Sequence, residues 1–196
     1  DVNIAFANEL SLIAERLDVD VWRLIELANH HPRVDILQPG PGVGGHCIAV
    51  DPWFIVDAAP EESRLIRTAR EVNDAKPVRV IDTVAAHASR YDRPVIAAFG
   101  LTFKPDVDDV RESPALAIVR ALAEQVANAE IWVVEPHVEG LPPDLAALPH
   151  VRLSAPDGAI AAADILLLLV DHRQFRSIDH TGFAEKVVVD TRGVWR

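Results

Sequence analysis

The chain has no methionine and a single cysteine, Cys47, in 196 residues. One cysteine excludes an intramolecular disulfide and a Cys-rich zinc site, and it permits a cytoplasmic location. Positive charge is scarce as well: 19 Lys and Arg face 30 Asp and Glu, a formal charge of −11. That balance argues against a nucleic-acid partner held by bulk positive charge and against a polybasic membrane-surface protein. Long hydrophobic runs are missing. The longest, Ile165 to Val170, falls far short of the ~20 residues that cross a bilayer, so no membrane partner is expected. No basic stretch leading into an apolar one opens the chain, and no signal peptide is expected. A translated chain starts with Met, whereas this one starts at Asp1 inside an apolar helical pattern. The expectation is an excised piece of a longer protein. Internal repeats and low-complexity segments are also lacking.

What is present is ordinary globular composition, 49% hydrophobic and 25% charged, in a length that fits one large or two small domains. From Val2 to Asn29, Ile4, Phe6, Ala7, Leu10, Ile13, Ala14 and Leu17 recur at helical steps. Asp18 to Asp20 interrupt, and a second helical stretch begins at Val21. His31 to Gly45 is a turn-rich loop. Asp51-Pro52 is expected to act as N-cap and first helical position. A long helix is predicted from about Glu61 to Ser89, kinked or split at Pro77. Beyond Arg93-Pro94 the period changes to short apolar strands: Val95–Phe99, Glu130–Val134, Val151–Leu153, Asp164–Val170 and Lys186–Asp190. Helical pieces at Pro114–Val126 and Gly158–Ala163 lie between them. Such alternation predicts an α/β fold: a helical module over residues 1–90, then a small doubly wound parallel-sheet, Rossmann-like domain over 91–196. Its ligand should lie at the carboxyl ends of the strands.

Two segments carry chemistry. In PGPGVGGHCIAVDPWF, residues 39–54, Cys47 follows a Gly-rich loop and shortly precedes a helix start, where the helix dipole and backbone N–H groups favour a thiolate. The competing reading is a buried structural cysteine. The glycines favour function, since packing offers no explanation for them in the sequence. Adjacent His46 and Cys47, with no second cysteine, make a metal site unexpected. A Cys-His hydrolase has no local signature. In FGLTFKPDVDDVRESP, residues 99–114, Lys104 and Arg111 stand among four carboxylates between a strand and a helix. Either these charges compensate one another in solvent, or the cations face an anionic ligand that Gly100 lets approach.

Together these segments resemble the nucleotide-sugar 6-dehydrogenase family, as do the opening NIAFANELSLIAE and the closing VVDTRGVW. The resemblance runs over essentially the whole chain. It implies a UDP-sugar substrate and an NAD cofactor, with four-electron oxidation of the sugar C6 alcohol to a carboxylate through a cysteine thiohemiacetal and thioester. Cys47 matches the nucleophile and Asp51 the aspartate that assists with the proton or water. Gly44 matches a glycine closing on the sugar nucleotide, and Phe103, Lys104 and Arg192 match substrate contacts. His31 and Arg33 match residues reaching into a partner's site, which implies a homodimer. Arg111 matches an NAD contact. Arg suits such anions because it stays charged and can bond in a bidentate way. The departures are specific. No G-x-G-x-x-G lies between a strand and a helix, so the N-terminal NAD-binding domain is expected to be absent. The family's catalytic lysine and asparagine would precede Asp1. Val50 stands where UDP-glucose dehydrogenases have lysine, which favours the UDP-N-acetylhexosamine branch. A piece with this content is expected to be inactive alone; a non-catalytic module that binds nucleotide or only dimerises is the alternative.

Overall fold

The computed structural model describes all 196 residues. The N-terminal part is helical: α1 (Val2–Arg16), α2 (Val21–Ala28), α3 (Asp51–Ala58) and α4 (Arg64–Ala88). Asp18, at φ 55°, turns the chain out of α1. The Asp20 carboxylate then caps α2, accepting the N–H groups of Trp22 and Arg23 at 2.9 and 3.0 Å. Asp51 proves to be the first residue of α3 and not its cap. Its N–H already donates to the Cys47 carbonyl at 2.8 Å, which closes a turn one residue earlier than the side chains suggest.

The long helix is neither split nor ended at Pro77; α4 runs 25 residues through it. The proline removes one backbone hydrogen bond. Burial on both sides of it outweighs that loss. The first half packs on α1 and α3, while Val80, Ile81, Val84 and Ala88 of the second half belong to the core beneath the sheet.

That sheet is wholly parallel. Its strands are β1 (Val95–Phe99), β2 (Glu130–Val134), β3 (Val151–Leu153), β4 (Ile165–Leu168) and β5 (Val187–Asp190), in spatial order β3-β2-β1-β4-β5. Helices α5 (Pro114–Gln125), α6 (Pro143–Ala146), α7 (Pro156–Ala162) and α8 (Arg173–Arg176), with a 3-10 turn at His180–Phe183, complete the fold. In β1, Ile96 and Ala98 enter one core with α4 and α5, whereas Ala97 and Phe99 enter another with α7, Phe175 and Trp195. Both faces are covered, which is why these strands are apolar without alternation. This is the doubly wound α/β class expected from the sequence. The last strands are shorter than their apolar runs. Leu169 and Val170 both donate to the Phe99 carbonyl, at 2.9 and 3.2 Å, and so leave the ladder. The order reverses between β1 and β4, so the crevice that α/β sheets use for ligands opens at the carboxyl ends of those two strands. No helix is long and apolar enough to cross a membrane.

Candidate active site

At that crevice the chain leaves β1 through Gly100, at φ 96°, where a Cβ would sit 2.4 Å from Val170 Cβ. Gly100 therefore admits Val170, two residues past β4, and not a ligand, which corrects the sequence expectation. The turn that follows presents Phe103 and Lys104, and Arg192 arrives from beyond β5. These three line one cavity of about 80 Å³ together with Gly42 and Asp171. Arg192 is held in place: its Nε donates to Asp171 Oδ1 and its backbone N–H to Asp190 Oδ1, both at 2.8 Å. Asp171 also pairs with Arg176. On the far side of Arg192 lies a larger polar cavity of about 850 Å³, which Trp22, Gln38, Arg176 and Arg196 help to line.

The Gly-rich loop lies against this region. A Cβ at Gly44 would stand 2.5 Å from the Glu112 carbonyl oxygen and 2.6 Å from Pro114 Cδ; at Gly40 it would meet the Arg192 guanidinium at 2.5 Å. Packing thus explains the glycines after all. GPGVGG, residues 40–45, has the spacing of a dinucleotide-binding turn, but no strand precedes it and its glycines face this chain's own side chains. The loop is tied down by Asn8, which is fully buried on α1. Asn8 Oδ1 accepts the Gly40 N–H and its Nδ2 donates to Asn73 Oδ1, both at 2.9 Å. Sequence reasoning missed Asn8; an amide among the apolar positions of a helix face was the available signal.

Cys47 is exposed, in the turn before α3, so it is not the buried structural cysteine of the competing reading. Its carbonyl accepts the N–H groups of Val50 and Asp51 at 3.1 and 2.8 Å. Asp51 is also exposed, in the first turn of α3. A Cβ at Gly45, two residues before Cys47, would stand 3.4 Å from the Phe103 ring, so the cysteine turn begins at the edge of the Phe103–Lys104 cluster. Arg111 is exposed and clasps Asp109. Its side-chain hydrogen bonds, then its backbone N–H, hold the Asp109 carboxyl down at about 2, with a smaller electrostatic contribution from His46. His31 and Arg33 are exposed and stand outside the cavities; the Arg33 N–H reaches only His31 Nδ1, at 3.3 Å.

A second buried group lies just past the strand ends. Glu135 Oε2 accepts the Leu101 N–H at 2.7 Å and Oε1 the His137 N–H at 2.8 Å, and His172 Nε2 lies 3.2 Å from Oε2. Burial would raise this carboxyl, but the hydrogen bonds from His172, Leu101 and His137 prevail and hold it below the usual glutamate range. Asp106, His137 and His172 also bring ligand-type atoms within 4.8 Å of one another, as a metal would require. A metal there would have to displace one of the two bonds of the His172 ring, that from the Asp106 N–H to Nδ1 or that between Nε2 and Glu135.

A parallel sheet with a cationic crevice at its switch point, joined to a helical part bearing an exposed cysteine turn, defines a two-part α/β scaffold with a crevice suited to an anionic ligand. The chain belongs to the UDP-glucose/GDP-mannose dehydrogenase family: residues 1–75 match the family's central domain and residues 97–196 its UDP binding domain. Over 195 residues the chain is 61% identical to an NDP-N-acetyl-D-galactosaminuronic acid dehydrogenase of Ralstonia nicotianae, covering 100% of this chain and 45% of that protein. It is 56% identical to the UDP-N-acetyl-D-mannosamine dehydrogenase of Escherichia coli, covering 100% of this chain and 48% of the relative. Among solved structures, a UDP-N-acetyl-mannosamine dehydrogenase of Staphylococcus aureus superposes with TM-score 0.81 at 42% identity, over 98% of this chain and 44% of that one. The chain spans about half the length of the curated relatives it matches.

Proposed function

We propose that the chain is the dimerisation and UDP-sugar-binding part of an NAD-dependent UDP-N-acetyl-D-mannosamine 6-dehydrogenase that works in the cytoplasm. Residues 1–90 would form the dimerisation part and 91–196 the UDP-sugar part. The observation that carries this reading is the convergence of Phe103, Lys104 and Arg192 at the switch point, with the loop leading to Cys47 laid against Phe103. Two cations beside an aromatic ring suit a diphosphate linked to a sugar. The net acidic charge does not oppose an anionic substrate, because Lys104 and Arg192 act locally.

Cys47 would hold the sugar C6 covalently. Its Sγ would add to the aldehyde carbon to give a thiohemiacetal; loss of a hydride from that carbon and of the hydroxyl proton would leave a thioester, and water would displace Sγ to release the carboxylate. Asp51, four residues on, would take or direct the proton of that water. NAD, when bound, accepts a hydride at each oxidation stage. These residues fit only its edge. β1 connects to α5 through the long loop 100–113 and not through a Gly-rich turn, and the contact that the family resemblance assigns to this part is Arg111, which lies in that loop. Gly44 would close over the sugar nucleotide. His31 and Arg33, exposed beyond α2, would reach a partner's site in the homodimer. The half-open apolar surface of Phe6, Leu17, Phe54 and Leu65, each more than half exposed, supports such burial against a second copy.

A panel of UDP-sugars offered to the complete protein tests the reading, with NADH counted per sugar and the solution mass measured alongside. UDP-N-acetylmannosamine consumed with a dimer mass is the expected result. Failure to bind UDP in calorimetry, or a strict monomer, contradicts it. The 61% identical relative named for N-acetylgalactosaminuronic acid supports the galacto epimer as a second reading, and the same panel separates the two. The 196-residue chain alone is expected not to reduce NAD.

A further inference from the structure

The turn carrying Phe103 and Lys104 is fastened at both ends to groups from other strands. At its start the Leu101 N–H donates to Glu135 Oε2 at 2.7 Å. At its end the Asp106 N–H donates to His172 Nδ1 at 2.9 Å. Asp106 has φ 59°, a left-handed backbone that a non-glycine residue holds only when its surroundings impose it. Its carboxylate adds a second fastening, accepting the N–H and Nε of Arg173 at 3.1 and 2.9 Å.

Because His172 Nδ1 accepts from Asp106, the ring hydrogen must reside on Nε2, where Glu135 Oε2 lies 3.2 Å away as its acceptor. Thr102 Oγ1, 3.4 Å from the same nitrogen, binds the Lys104 carbonyl at 2.9 Å. The ring has no freedom to turn: its side chain is fully buried, and the rings of His137 and Phe175 lie 4.7 and 5.1 Å away. Glu135 therefore sets the tautomer of His172, and that tautomer leaves the lone pair that Asp106 needs. We propose that His172 is a positioning residue whose Nδ1 acceptor fixes the 102–106 turn in the shape that presents Lys104 to the substrate diphosphate. The proposal rests on the UDP-sugar reading for its ligand, but not for its geometry.

Two substitutions in the complete protein separate the two nitrogens. His172→Asn places an oxygen where Nδ1 stood; His172→Gln reaches towards Glu135 and leaves the Asp106 N–H without a partner. The Gln variant is expected to weaken UDP binding about tenfold, the scale of an orphaned buried N–H, and to raise KM for the UDP-sugar with kcat little changed. Amide exchange at Asp106 should quicken in the same variant. The Asn variant is expected to stay near wild type in all three. Equal behaviour of Asn and Gln, or unchanged UDP affinity and Asp106 exchange in Gln, overturns the proposal. In the unsubstituted protein, ring 15N shifts of His172 must report the Nε2–H tautomer; the Nδ1–H tautomer would refute the assignment without any variant. If the wild type binds no UDP, the UDP-sugar reading fails, and exchange and tautomer still decide the role of His172.

Discussion

The Phe103–Lys104–Arg192 cluster and the Cys47–Asp51 turn lie close together, yet they are built differently. In the first, Arg192 is fixed by Asp171 and Asp190, and the Lys104 turn is pinned to Glu135 and His172. In the second, Cys47 and Asp51 are exposed and joined only by their own backbone turn. Large apolar side chains stand open within that turn and just after it, Ile48 and Phe54 among them, Phe54 being 69% exposed. A preorganised binding cluster costs little to use. An exposed cysteine flanked by apolar surface is the pattern of a site finished by another surface. On the proposed reading, the first region is held ready for the sugar nucleotide by this chain's own bonds, whereas the second waits for another surface to complete it.

Breaking the component should have the largest effect. Cys47→Ala in the complete protein is expected to lower turnover by roughly a thousandfold or more while leaving UDP affinity unchanged, read by NADH formation and calorimetry. Breaking recognition costs less: Lys104→Ala should weaken UDP binding by about 10- to 100-fold, the worth of one charge-assisted contact. Gly44→Ala forces a Cβ against the Glu112 carbonyl and should cost about 1–3 kcal/mol in thermal unfolding. Gly140→Ala, with nothing within 4 Å of its Cβ, serves as the silent control. The smallest effect is that of pH. Glu135 is held below its ordinary value of 4.5 in the fold, so its stabilising contribution is present above that value. It is lost as pH falls through the lower folded value. Acid unfolding monitored below pH 4.5 should show Glu135→Gln with a flatter acid limb than wild type.

Much of the fold was legible because burial on two faces writes itself as unbroken apolar runs such as VIAAF and ILLLL. The boundaries that moved did so for backbone reasons that side chains do not reveal. The bond from the Asp51 N–H to Cys47 started α3 early, and packing along both halves of α4 carried it through Pro77. The candidate site was legible as residue types and family blocks. Its supporting bonds were not. Asn8, Glu135 and His172 act through partners 32, 34 and 66 residues away, and separations of that size leave no local pattern. The glycines misled in the opposite sense, since their tight neighbours come from Pro114 and Arg192, distant in sequence and adjacent only once folded.

The most direct test of the account counts products at Cys47. Given limiting UDP-N-acetylmannosamine and excess NAD, the complete protein should yield two NADH per sugar and a carboxylate product. A labelled acyl group should be trapped on Cys47 when the reaction is quenched during turnover. One NADH per sugar, or undiminished turnover after Cys47 is alkylated, would contradict it.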